Sequence, residues 1–220
     1  MLFLDKFKGI VFDLDGVLVD TEYNHWQGWV KALKPFGVNF SREEYTDCSG
    51  KSGDVIERIL IKKYKLPKFH LEKEKESIMA KFFSENKINT MYFVKEAIEF
   101  FKTRKFRIAV ATSSPKDQAM IKLQNTGLFD FFDSITSRND VKNGKPYPDI
   151  YIFAAKKLGI KPEQCIAFED TQYGVESAKT AGLYCIAIPT EISVKQDFSK
   201  ADRIFKNLKE ATNYLVNEEI

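Results

Sequence analysis

The apolar run Gly9-Ile10-Val11-Phe12 breaks off into Asp13-Leu14-Asp15, followed by Gly16, a second apolar run (Val17-Leu18-Val19) and then Asp20, Thr21 and Glu22. A short, bounded stretch of large apolar residues reads as a buried strand. At the carboxyl end of a parallel strand, Asp13 and Asp15 would stand in the crevice where open α/β sheets bind their ligands. Two carboxylates that near each other repel unless a cation or a proton sits between them. Taken alone, an Asp-x-Asp pair more often means a loop with solvated acids, so the remainder of the chain has to decide.

After Asp20 the period changes. Trp26, Trp29, Val30, Leu33 and Phe36 follow the i, i+3, i+4, i+7 spacing of one helix face, and Gly37 stands where a helix C-cap belongs. Ser41-Arg42-Glu43-Glu44 has the pattern of a capping box. A third helix is predicted from Gly53 to Tyr64, broken by Pro67, and Ile78, Met79, Phe82 and Phe83 give a fourth its apolar face. No strand candidate lies between Asp20 and Met91. Beyond that point strands and helices alternate. Strands are predicted at Arg107 to Ala111, Phe131 to Thr136, Cys165 to Phe168, Tyr184 to Ile188 and Arg203 to Phe205, with helices between them and a last one at Leu208 to Val216. This order argues for an α/β fold, a doubly wound parallel sheet, with a helical segment inserted after its first strand.

The chain has 220 residues, 44% of them hydrophobic, enough for one sizeable core, and its 34 basic and 31 acidic residues leave a net charge of +3. That balance gives no basic footprint, so no nucleic-acid partner is expected. No apolar run approaches the ~18 residues of a membrane span, and the N-terminus lacks the basic lead of a secretory signal. Cys48, Cys165 and Cys185 are odd in number and lack metal-ligand spacing. They read as buried thiols of a cytoplasmic protein.

Three predicted strands end in polar groups: Asp13 and Asp15, Thr112 and Ser113, Glu169 and Asp170. Lys145, in Gly144-Lys145-Pro146, lies in the loop before a helix. Each has a plain structural meaning by itself. Thr112 suits a helix cap, Lys145 a solvated surface, and Glu169-Asp170 the positive end of a helix dipole. In a parallel sheet, however, these strand ends share one edge and converge.

As a set, the chain resembles the haloacid dehalogenase-like superfamily of phosphotransferases. Asp13-Leu14-Asp15-Gly16-Val17-Leu18-Val19-Asp20-Thr21-Glu22 is similar to its first motif and Ile108-Ala109-Val110-Ala111-Thr112-Ser113 to its second. Lys145-Pro146 matches the third and Glu169-Asp170-Thr171 the fourth. The resemblance covers essentially the whole chain. It implies a Rossmann-like catalytic core made of residues 1–19 and 89–220 and an α-helical cap for substrate specificity at residues 20–88. It further implies that Asp13 is the nucleophile that forms an aspartyl-phosphate. Asp15 would be the general acid and base. Mg²⁺ would be held by Asp13, the backbone carbonyl of Asp15 and Asp170, with Glu169 as a close helper. Thr112 and the Ser113 backbone amide would hold phosphoryl oxygens, and Lys145 would neutralise charge on the phosphoryl group and Asp13. An aspartate at position 15 points to phosphatases and phosphomutases rather than to dehalogenases or ATPases of the superfamily.

Substrate choice is expected in the cap. Ser49-Gly50-Lys51-Ser52-Gly53 resembles the specificity loop of the family, where Lys51 would reach a sugar hydroxyl or a second phosphate. Thr21 and Gly50 are further substrate-side candidates, and His25 matches a position that in β-phosphoglucomutases helps to place the acid/base aspartate. Those mutases carry an arginine in the loop where this chain has Gly53. The expected activity is therefore phosphatase action on a small phosphorylated metabolite, a phosphosugar, by a monomer. A β-phosphoglucomutase-type phosphohexomutase is the alternative. A non-enzymatic, receiver-like phospho-Asp switch is the remote one, because receivers place the phosphorylated Asp on a middle strand of the sequence.

Overall fold

In the computed structural model, residues 3–67 and 69–217 are described. The first strand, β1 (Gly9–Phe12), is followed by four helices, α1 (Glu22–Leu33), α2 (Arg42–Thr46), α3 (Gly53–Tyr64) and α4 (Leu71–Glu85). The alternating part then runs α5 (Val94–Thr103), β2 (Arg107–Ala111), α6 (Lys116–Asn125), β3 (Ser134–Thr136), α7 (Asp149–Leu158), β4 (Cys165–Glu169), α8 (Gln172–Thr180), β5 (Tyr184–Ala187), β6 (Arg203–Ile204) and α9 (Leu208–Asn217). The strands form one sheet in the order β3-β2-β1-β4-β5-β6, and every pairing is parallel. A parallel sheet needs helical crossovers on both faces, and the chain supplies them.

Alternation along the strands sorts the faces by size. Ile10, Phe12, Ile108, Val110, Ile166, Phe168 and Ile186 point to one side and pack with α5, α6 and α9. Phe12 and Phe168 stack there with ring centroids 5.0 Å apart. The other side carries the smaller Val11, Ala109, Ala111, Ala167, Cys185 and Ala187, so α7 and α8 lie close against it. All three cysteines are buried free thiols.

Register fixes where the polar strand ends fall. Phe12 pairs with both Val110 and Phe168. The ladder then extends one residue further, with Asp13 N–H donating to Phe168 O (2.9 Å) and Thr112 N–H donating to Thr136 O (2.9 Å). Asp13, Thr112 and Glu169-Asp170 therefore emerge side by side at the carboxyl edge, where such sheets bind ligands.

The helices α1–α4 surround their own apolar cluster, which includes Trp29, Leu33, Phe40, Tyr45, Ile56, Leu60 and Leu71. Ile192, from the segment after β5, completes that cluster from the other side. Gln196 tightens the junction. Its side-chain oxygen accepts the Gln172 N–H (2.9 Å) while its amide donates to Thr46 O (2.8 Å) and Ser49 Oγ (2.9 Å). The Ser41 capping box is present, with the Glu44 N–H on Ser41 Oγ and the Ser41 N–H on Glu44 Oε2.

The third strand is shorter than its hydrophobicity predicts, because Phe129–Phe131 form a 3₁₀ turn. The Asp133 carboxylate then accepts the Ile108 N–H (2.7 Å), taking the place of a backbone acceptor, so pairing proper begins only at Ser134. Among the described residues, no helix is long and apolar enough to cross a membrane. Ile192 is only 4% exposed. Ile192→Ala is expected to cost about 2–4 kcal/mol of stability through lost burial and a cavity, and urea unfolding checks this against an exposed-site control such as Val194→Ala.

Candidate active site

Gly16 makes the turn after Asp15 possible. Its φ is +84°, and a Cβ there would collide with the Asp170 carboxylate. The turn thus lies tight against the Asp170 side chain at the end of β4. Asp13, Glu169 and Asp170 each offer a carboxylate oxygen within 4.8 Å of the others, and all three are buried. Lys145, 2% exposed, reaches in from the loop before α7 and donates to Asp13 Oδ1 (2.8 Å), Glu169 Oε1 (2.5 Å) and Ala111 O (3.3 Å).

The three acids are not equivalent. Glu169 is engaged on both oxygens, by Lys145 and the Tyr151 hydroxyl on one and by the Asp170 N–H on the other. Both oxygens of Asp170 are buried with no partner among the described residues. Burial, then Glu22 and Asp13, push the Asp170 carboxyl well above the usual range. Burial likewise raises Asp13 to about 7, with Lys145 opposing and Glu169 and Asp15 adding to the rise. A set of hard oxygen donors carrying uncompensated charge suits a divalent cation, which the orphaned Asp170 oxygens would hold most directly.

The Asp15 carboxylate turns away from this cluster. It accepts from the Thr21 hydroxyl, from Lys122 Nζ (2.5 Å) and from Ser114 Oγ (2.8 Å), and His25 Nε2 lies 3.1 Å away. Burial alone would raise its pKa. Lys122 and His25 outweigh burial and hold it well below the carboxylate range. His25 sits between two ammonium groups, with Lys75 Nζ 2.9 Å from Nδ1 and Lys122 Nζ 2.9 Å from Nε2. Burial and these two charges lower its pKa from 6.5 to about 4, so the ring is neutral near pH 7.

Thr112 is not the cap of α6, a position held by Pro115. Its Oγ1 accepts the Ser114 N–H (3.0 Å), which leaves the hydroxyl proton available to a ligand. Ser113 Oγ is buried without a partner among the described residues. Gly50, with φ +84°, rests the loop of the helical insert against the Thr171 side chain at the start of α8. Lys51 is held nearby, donating to Asp47 O (2.9 Å) with its ammonium 3.7 Å from the centre of the Tyr173 ring. Asp13, Asp15, His25, Gly50, Lys51, Thr112, Ser113, Lys145 and Asp170 all line one cavity of about 70 Å³. Thr21 and Glu169 stand just behind its wall, bonded to Asp15 and Lys145.

Sequence reasoning missed Lys75, Lys122, Ser114, Glu22 and Glu76. For the lysines a signal existed. Leu71, Lys75, Met79 and Phe83 recur every four residues on the buried side of α4. Lys122 shares the buried face of α6 with Gln118, Ala119 and Leu123. A lysine within an apolar stripe is buried against a partner, and both partners lie around Asp15.

Residues 10–188 match a family model described as haloacid dehalogenase-like hydrolase. The phosphorylated carbohydrates phosphatase of Thermotoga maritima is 32% identical over 182 residues, spanning 80% of this chain and 82% of that protein. The fructose-1-phosphate phosphatase YqaB of Escherichia coli is 26% identical over 186 residues, 84% of this chain and 97% of that one. The crystal structure of CbbY from Rhodobacter sphaeroides in complex with phosphate is similar with a TM-score of 0.80 at 27% identity, covering 93% of this chain and 96% of that chain.

The neutral His25 makes a testable contribution to acid sensitivity. The unfolded chain takes up the imidazole proton near pH 6.5, whereas the fold resists it until about 4. Stability is therefore lost as the pH falls from 6.5 toward 4, by about 2 kcal/mol between pH 7 and pH 5 from this group. Urea unfolding at the two pH values is expected to show this loss in the wild type and a correspondingly smaller one in His25→Gln.

Proposed function

This chain belongs to the haloacid dehalogenase-like hydrolase family, and we propose that it is a Mg²⁺-dependent phosphatase of small phosphosugars or sugar-alcohol phosphates that works through an aspartyl-phosphate on Asp13. One observation carries the reading. Asp13, held by Lys145, shares the floor of the cavity with the two Asp170 oxygens, which have no partner among the described residues, and with the Thr112 and Ser113 hydroxyls. That is a nucleophile, a cation site and phosphoryl donors in one concave place. The names of the relatives, phosphatases of phosphorylated carbohydrates and of fructose 1-phosphate, agree with it.

In this reading the ionised Asp13 oxygen attacks phosphorus, the bond to the alcohol breaks, and the alcohol departs with a proton passed through Asp15. Lys122 and His25 keep Asp15 ionised in the free site, and the entering phosphate monoanion protonates it. Asp15 then takes a proton from the water that attacks the acyl phosphate, and Asp13 is restored. Thr21, Lys122 and Ser114 fix the Asp15 carboxylate, and neutral His25 lies against it at 3.1 Å without adding charge. Lys145 orients Asp13 and offsets phosphoryl charge, while Thr112 and Ser113 donate to the phosphoryl oxygens. Asp13, Asp170 and the Asp15 backbone carbonyl would hold Mg²⁺, with Glu169 and Lys145 bracing them from behind. When bound, the ion supplies the positive charge that lets carboxylates and a phosphate dianion approach. Residues 20–88 act as the cap, closing the cavity over the substrate.

The mutase alternative needs a cation to hold a distal phosphate. At Gly53 the space is taken by the Glu72 side chain, and Arg58 is paired with Asp54 (3.2 Å) at the surface. This favours hydrolysis.

The direct test is phosphate release from a panel of phosphosugars with and without Mg²⁺. The panel includes β-glucose 1-phosphate with a trace of glucose 1,6-bisphosphate, assayed for glucose 6-phosphate. Metal-dependent release without isomerisation is expected; isomerisation outrunning release would make the protein a mutase. Asp170→Ala is expected to raise the Mg²⁺ concentration for half-maximal activity by at least about tenfold. An unchanged requirement in a metal titration would remove Asp170 from the cation site.

A further inference from the structure

Lys122 sits where an apolar residue is expected. Its neighbours on the buried face of α6, Ala119 and Leu123, pack in one apolar cluster with Ile108 and Val110 of β2, and Lys122 itself is 0% exposed. A lysine taken out of water costs stability unless its ammonium is paired, so what the ammonium touches shows its use. Nζ donates to Asp15 Oδ1 (2.5 Å) and to Ser114 Oγ (2.9 Å), and Ser114 Oγ donates in turn to Asp15 Oδ2 (2.8 Å). Both oxygens of the carboxylate are thus tied to a pair of side chains that also hold each other.

Asp15 has a second set of partners from a different part of the chain. Thr21 and His25 approach it from the start of the helical insert, and Lys75 backs His25 from α4. Ser114 and Lys122 belong to the sheet side, just after β2 and on α6. At the far end of α6, the Asn125 side chain accepts the Ile88 N–H (3.0 Å) and donates to Asn86 O (3.1 Å). The helix therefore also grips the segment by which the insert returns to the sheet.

The distinction between the two sets matters because the cavity between insert and sheet is small. It measures about 70 Å³, against roughly 300–1,000 Å³ for small-molecule sites. A phosphosugar enters, and its alcohol leaves, only when the insert moves off the sheet edge. That movement takes His25 and Lys75 away from Asp15 and leaves Lys122 and Ser114 on it.

We infer that Lys122 is a positioning residue for the second half of the reaction. With Ser114 it keeps the Asp15 carboxylate at the sheet edge while the insert is displaced, so phosphorylated Asp13 meets water with its base in place. The water oxygen bonds to phosphorus, and the bond from phosphorus to the Asp13 oxygen breaks, returning its electron pair to the carboxylate. The water proton passes to Asp15, which releases it to solvent as phosphate leaves. In the first half Lys122 is one of four supports of Asp15, beside Thr21, His25 and Ser114. The inference rests on the phosphatase reading and deepens it. A base that stays with the sheet commits the phosphoryl group to water rather than to a second alcohol.

The test separates the two half-reactions. Wild type, Lys122→Met (similar length, no ammonium) and Ser114→Ala are assayed with Mg²⁺ on the best substrate of the phosphosugar panel. The readouts are kcat, KM and the fraction of protein carrying phosphate on Asp13 at steady state, by rapid quench. In Lys122→Met, kcat is expected to fall about 10- to 100-fold, the loss of one charge-assisted hydrogen bond to the base. Its kcat/KM is expected to fall by no more than about threefold, so KM drops and phosphorylated protein accumulates. Ser114→Ala is expected to show the same pattern with a smaller loss, and it decides the matter if Lys122→Met does not fold. Equal falls in kcat and kcat/KM without accumulated phosphoprotein would overturn the inference and leave the phosphatase reading intact. Unchanged kinetics in both variants would overturn it as well. No phosphate release by the wild type from any compound of the panel would remove the phosphatase reading itself.

Discussion

Mutual repulsion among buried carboxylates is the constraint on which the rest of this structure depends. Asp13, Asp15, Glu169 and Asp170 converge at one edge of the sheet, and Glu22 joins them from the helical insert. Two buried lysines divide the compensation. Lys145 serves Asp13 and Glu169, and Lys122 serves Asp15. Asp170 has no hydrogen-bond partner on either oxygen among the described residues, and burial and its acidic neighbours, outweighing Lys145, drive its carboxyl far upward. A fold that places an ionisable pair under such strain has use for a cation there, and for a dianion that shares it.

The sheet delivers these groups by simple means. Parallel pairing aligns the ends of β1, β2 and β4, and one further rung of hydrogen bonds holds Asp13 and Thr112 in register with β4 and β3. The small-residue face lets α7 approach closely enough for the Tyr151 hydroxyl to bond Glu169 from below. The insert contributes the other half of the cavity, with its own apolar cluster and with Ile192 and Gln196 joining it to the sheet. His25 belongs to the insert and Lys122 to the core, and both touch Asp15. The environment of Asp15 is therefore assembled only when the two parts are together.

Most of the sheet was legible because strand and helix periods differ and Gly or Pro punctuates many of the junctions. Gly37, Gly127, Gly159 and Gly182 all take positive φ where helices end. β3 was overestimated because Phe131 and Phe132 are apolar for packing rather than for pairing. At the site, the strand-end residues could be found from sequence because each closes a recognisable apolar run. Lys75 and Lys122 could not be found that way, since a lysine in a charged helix is read as solvated. Only its place in the four-residue apolar repeat betrays that it is buried. Glu76 and Trp29 come to line one cavity only through the packing of α1 against α4, which no local pattern encodes.

The central claim is that Asp13 carries the phosphoryl group, and trapping that species tests it most directly. Protein turning over a sugar monophosphate with Mg²⁺ is quenched rapidly, reduced with borohydride and digested for peptide mass analysis. Reduction of an acyl phosphate at position 13, present only when both substrate and Mg²⁺ were supplied, is the expected result. An unmodified Asp13 under conditions of measured turnover, or reduction at a different carboxylate, would contradict it.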